Sequence, residues 1–147
     1  MNAVAIRSIV LLAACLALGA CASSPSARFY SLAAVPLEPV TAAPDDFALA
    51  VGPIRVADYL DRPQIVSRAS STEISLAGYD RWSEPLLPAI NRIVAENLSA
   101  LLGTGRVADQ TSWPNLGGDY RLLAQITRFD LETGQAVLEI QWAIWGC

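Results

Sequence analysis

The 147-residue sequence contains no histidine and no lysine; all ten of its basic residues are arginine. Without histidine there is no Ser-His-Asp or Cys-His catalysis and no imidazole ligand for zinc. Without lysine there is no Ser-Lys pair, no Schiff base and no phosphate-loop lysine. Of the three cysteines, Cys15 lies in the apolar leader and Cys21 has another use, argued below. Cys147 is then left alone, and an internal disulfide is excluded. The net charge is −4, and no basic run occurs. Such a chain is a poor ligand for nucleic acid. Carboxylates remain as the one common catalytic option. Asp45-Asp46, Asp58/Asp61 and Glu132/Glu139 are pairs on paper, but they sit in turn-like or strand-surface contexts and read as solvated surface. No catalytic residue, metal or cofactor is expected.

What is present begins with a leader. Arg7 precedes the uncharged run "SIVLLAACLALGA", too short for a transmembrane helix, which needs about 20 apolar residues. It fits the apolar region of a secretory signal. Small residues before Cys21, in "LGAC", resemble the cleavage box of bacterial lipoproteins. Residues 1–20 are therefore expected to be removed, leaving an acylated Cys21 as the first mature residue. Loss of Arg7 takes the net charge from −4 to about −5. Several acyl chains on one cysteine anchor firmly, whereas a single chain is marginal. Ala22 follows, not the aspartate that tends to retain enteric lipoproteins in the inner membrane. This favours the periplasmic face of the outer membrane. Residues 21–27 form the tether, and residues 28–147 form one domain.

Along that domain, "RFYSL" alternates bulky and polar residues and predicts a first strand. Residues 33–46 are rich in Pro and Ala and read as an exposed linker. Phe47 to Ala57 is almost continuously apolar, as in a central strand buried on both faces, with a bulge or bend at Gly52-Pro53. "DYLDRP" predicts a turn. Residues 64–77 predict a β-hairpin about "ASST", after which "GYDRW" crosses to the main helix. Ser83 is the expected N-cap, with Glu84 in the first turn. Leu86, Ile90, Ile93, Val94, Asn97, Leu98 and Leu101 form one helical stripe. Gly103 ends the helix. A short strand, "RVADQ", and a loop lead to a long hairpin about "ETG", whose last strand buries one face, Ala136 to Ile144. The expected class is α+β, a mostly antiparallel sheet with one long helix packed on one face.

The segments "RFYSL", "VGPIRVADYLDRPQIVSR", "YDRWSEPLLPAINRIVAENLSALL" and "YRLLAQITRFD" together resemble the ABC-type transport auxiliary lipoprotein family, the PqiC/YmbA group. The resemblance covers nearly all of residues 28–145. It implies a lipoprotein subunit of an Mce/Pqi-type ABC system for lipid transport and membrane integrity. The partner would be an Mce-domain protein, with the membrane reached through the lipid anchor; self-association stays open. It implies no catalytic residue. Arg62, Tyr79, Arg81, Trp82 and Glu84 lie in its most specific block, and Arg and aromatic residues are enriched at interface hot spots. Two readings of this block stand. It faces a partner, or Trp82 packs beneath the helix start while Arg62 or Arg81 pairs with an acid. The resemblance also implies that the family domain continues beyond "EIQWAIWGC", so the C-terminal part is expected to be missing and the apolar last strand exposed on one side. The rival functions are a lipid carrier holding an acyl chain in its own cavity, which needs a closed apolar pocket, and a hydrolase, which needs two convergent buried carboxylates.

Overall fold

The computed structural model describes residues 25–40, 47–110 and 118–146. The leader, Cys21, Asp45-Asp46 and Cys147 lie outside the described residues. Seven strands form one curled sheet: β1 (Arg28–Tyr30), β2 (Leu49–Val56), β3 (Gln64–Arg68), β4 (Ile74–Trp82), β5 (Val107–Asp109), β6 (Tyr120–Glu132) and β7 (Gln135–Gly146). One long helix, α1 (Leu86–Leu102), packs over β2 and β5, and a 3-10 turn spans Asp58–Leu60. The class is α+β, as the sequence predicts. The sheet is mixed: the β3–β4 and β6–β7 hairpins are antiparallel, while β1–β4, β2–β5, β2–β6 and β3–β6 run parallel.

β6 organises the sheet. One edge carries β7 along almost its whole length, from Tyr120↔Gly146 to Glu132↔Gln135. The other is shared by β2, paired with residues 120–126, and β3, which meets it at Leu131. The turn between β6 and β7 places Thr133 and Gly134 at φ 48° and 81°, the two positive values that a tight hairpin of matching twist requires.

The apolar run of β2 lies between β6 and β5, buried from Leu49 through Gly52 and again at Ile54. The expected irregularity at Gly52-Pro53 is present as a register shift between Val51 and Ile54. Gly52 has φ 112°, open to glycine almost alone. Val51, Ile54, Leu60, Val66, Leu86, Ile90 and Ile126 form the centre of the core. Full burial of each such side chain stabilises by roughly 1.5–3 kcal/mol.

Three local expectations need correction. "GYDRW" does not cross to the helix; it completes β4, because Trp82 N–H reaches the Pro63 carbonyl at 2.7 Å and β1 lies alongside residues 80–82. Ser83 is not the N-cap. Pro85 is, with no side-chain cap, and the Ser83 hydroxyl instead meets that of Ser31 at 2.6 Å. The last strand does not bury a face: Leu138, Ile140, Trp142 and Ile144 are all exposed, and so is Trp145 on the opposite side. The helix ends as expected on Gly103, left-handed at φ 61°. The stripe residue Asn97 is half-buried and accepts a hydrogen bond from Val35 N–H, whereas Asn91, outside the expected stripe, is buried at 1% exposed. The described part of the linker is thus tied along the helix, also through Val40 N–H to the Leu101 carbonyl.

Two ion-pair groups pin the sheet. The fully buried side chain of Asp130 accepts from Arg68 at 2.9 Å and from Arg128 at 3.0 Å, and Arg128 also reaches Glu132 and Glu139. Arg28 grips Asp80 through two hydrogen bonds, tying β1 to β4. Asp130→Ala leaves Arg68 mostly buried without its carboxylate, while Arg128 keeps Glu132 and Glu139. It should cost about 3–5 kcal/mol in urea unfolding. The hydrogen bonds and charge of Arg28 hold the Asp80 carboxyl below its usual range. A depressed carboxyl stabilises the fold above the unfolded value, about 3.9, and loses that contribution as pH falls through the lower folded value. Urea melts of wild type and Arg28→Ala should therefore differ by a constant amount above that pH and converge in stronger acid.

Candidate functional site

The 3-10 turn delivers Arg62 and Pro63 to the end of β4. Arg62 N–H bonds back to the Leu60 carbonyl, and the Pro63 carbonyl takes the Trp82 N–H. Ser83 N–H is fixed in turn by the Tyr30 carbonyl. These bonds set residues 61–63 beside residues 82–86, and a groove of about 310 Å³ lies between them. Arg62, Trp82 and Glu84 all line it, so three of the five residues singled out from the sequence come together. Tyr79 and Arg81, further back on β4, do not line it; Tyr79 is exposed and Arg81 half-buried.

Each residue has its own physical state. Trp82 stacks on Phe129 with ring centroids 5.8 Å apart and joins the edge of the core, which favours the packing reading for this residue. Glu84 is taken by Arg92 at 2.7 Å. Arg62 is different. Among the described residues no acid pairs with it, although its guanidinium is partly withdrawn from water and its Nε is buried without a hydrogen-bond partner. Arg81 likewise has no ion pair among the described residues, so the expectation that one of these arginines pairs with an acid is not met. The groove also recruits Asp61, Pro63, Ser83, Pro85 and Leu86. Sequence reasoning did not group these; the visible signal was that "LDRP" and "WSEP" each end in a proline that stops a regular element.

Behind Trp82 lies a second hollow, about 480 Å³, lined in part by Tyr30, Ser67, Asp80, Phe129, Asp130 and Leu131. Its two carboxylates are both held by arginine, Asp80 by Arg28 and Asp130 by Arg68 and Arg128. Both carboxylates are thus engaged in ion pairs. The sequence pair Glu132/Glu139 converges on Arg128, which makes it an ion-pair group. Among the described residues no group of three or more acidic or cysteine side chains is placed to hold a metal ion. The chemistry the site offers is recognition through a cation, an aromatic ring and proline edges.

Trp82 and Arg62 should separate in a stability assay. Trp82→Ala removes the stack on Phe129 and should cost about 2–3 kcal/mol, less than the ~3–5 of a fully buried tryptophan. Arg62→Ala removes a partly buried cation that no carboxylate answers, so stability should be retained or rise slightly, by about 0.5 kcal/mol. Thermal or urea melts check both.

Comparison with known proteins adds identity to this geometry. The fold is similar to the crystal structure of a protein from Xanthomonas campestris assigned to a domain family of unknown function, DUF330. That match has a TM-score of 0.62 and 22% identity, and covers 82% of this chain and 69% of that one. It is also similar to the crystal structure of an uncharacterized protein, with a TM-score of 0.59 and 21% identity, over 83% of this chain and 81% of that one. No curated protein sequence matches the chain. A family model described as the ABC-type transport auxiliary lipoprotein component matches residues 30–146, which include the whole groove. The chain belongs to that family of ABC-type transport auxiliary lipoproteins.

Proposed function

We propose that this chain is an outer-membrane-anchored periplasmic lipoprotein subunit of an Mce/Pqi-type ABC lipid transport and membrane-integrity system. It acts by binding a partner protein, not by turnover. Membership of a transport auxiliary lipoprotein family, which is not an enzyme family, is the observation that carries this reading. The groove supports it: an arginine without an acid, beside an aromatic ring and two prolines, is the chemistry of protein recognition. In this reading residues 1–20 are the signal peptide, Cys21 carries the acyl chains, residues 21–27 are the tether, and residues 28–147 face the Mce-domain partner from the periplasm.

The rival carrier reading needs a closed apolar pocket. An apolar groove of about 430 Å³ does run between α1 and the outer hairpin, lined by Ile90, Val94, Leu98, Ile140, Trp142 and Ile144. It is open along β7, where Trp142 and Ile144 stand exposed. An open trough of this kind does not seal an acyl chain from water. Among the described residues no helix is long and apolar enough to cross a membrane.

The test is a pull-down of the tagged lipoprotein from detergent-solubilised envelopes. An Mce-domain subunit should co-purify with wild type, without a stoichiometric lipid bound to the purified chain beyond the covalent acyl chains on Cys21. Cys21→Ser should accumulate as unacylated precursor. A mature chain without acyl mass refutes the anchor, and absence of any Mce-domain subunit refutes the functional assignment.

A further inference from the structure

The groove between residues 61–63 and 82–86 contains a charge that the fold leaves unanswered. Among the described residues, Arg28, Arg68, Arg92 and Arg128 are held by carboxylates. Arg62 is partly buried and lines the groove, yet no carboxylate among the described residues reaches it, and its Nε is buried with no acceptor. A guanidinium partly withdrawn from water without a counter-charge is less well solvated than a free one. An incoming carboxylate relieves that penalty, and the planar fork of arginine matches a carboxylate in two parallel hydrogen bonds.

Two acids of this chain stand near the groove, and neither fills this role. Glu84 lines it, but its carboxylate already serves Arg92. Asp61 is exposed, so its repulsion of a second carboxylate is screened by water and salt. The rest of the lining suits a peptide: the Trp82 ring and the edges of Pro63, Pro85 and Leu86 offer apolar contact around a single cation. We infer that Arg62 is the docking residue for an acidic side chain, Asp or Glu, of the partner protein, inserted into the groove beside Trp82. This rests on the partner-binding function proposed above and names the chemistry its partner must supply.

The experiment has two arms, both on the full acylated lipoprotein in detergent. In the first, the envelope pull-down is repeated with Arg62→Glu and, as a control for net charge, Arg55→Glu on the exposed side of β2. Arg62→Glu should retain its melting behaviour and lose about tenfold or more of the co-purified partner. Arg55→Glu should retain wild-type recovery. Equal recovery with all three proteins, or equal loss in both variants, overturns the proposal. In the second arm, acetate is titrated at constant ionic strength against chloride while the Nε–H resonances of the arginines are followed by NMR. Arg62 should shift with saturation and Arg55 should not. A shift at Arg62 no different from that at Arg55 overturns the site even if no partner is recovered, whereas failure to recover any Mce-domain subunit with wild type counts against the functional assignment alone.

Discussion

The pairing of β6 on both of its edges is the constraint from which the other features follow. A thirteen-residue strand is long enough to take β2 and then β3 in succession on one side while β7 runs the length of the other. Because β2 ends where β3 begins, the chain must turn between them within reach of β6. The 3-10 turn and Arg62-Pro63 occupy that turn. The same strand supplies Ala124 and Ile126 to the core beneath α1, Phe129 to the Trp82 stack and Asp130 to the arginine clamp. Core, clamp and groove are therefore three consequences of one strand's register.

The groove is rigid for reasons that can be named. Backbone hydrogen bonds from Trp82 to Pro63 and from Ser83 to Tyr30 hold its two walls, and the ring of Trp82 is fixed from behind by Phe129. A binding surface built from such parts loses little conformational entropy when a partner arrives. The contrast with β7 is instructive. That strand carries exposed apolar side chains on both faces and pairs, among the described residues, with β6 alone.

Much of this was legible in the sequence. The almost continuously apolar run at 47–57 identified the central strand, and Gly52-Pro53 identified its bulge, because glycine admits the positive φ found there. Gly103 and the Thr133-Gly134 turn were visible as residues suited to left-handed backbone. The parallel pairings were not visible, since periodicity reports which face is apolar and says nothing about which distant strand lies alongside. Ser83 misled because a capping residue is recognised by its neighbours, and the two prolines that follow moved the helix start to Pro85. Asn91 was missed because its side chain is polar, although Leu87, Asn91, Val94 and Leu98 share the helical spacing; its amide N–H satisfies the Leu87 carbonyl. Of the site, the block holding Arg62, Trp82 and Glu84 was visible. Which of its charges would be neutralised depended on Arg92, eight residues from Glu84, and on the fold around Arg62.

The position of β6 in the chain also sets the order in which the protein can assemble. Its partners β2 and β3 emerge first, yet about 70 residues separate Leu49 from the Tyr120 it must meet, and Ser67 waits for Leu131. Closing such loops precedes any reward from the contacts they make, so folding dominated by them is slow compared with that of helical bundles. Until β6 appears, the preceding 119 residues have the β3–β4 hairpin and the helix on β2 and β5, but nothing joins these two parts into one sheet. The union of the two halves therefore hangs on one late strand, and a lesion in β6 costs the protein its sheet rather than a single pairing.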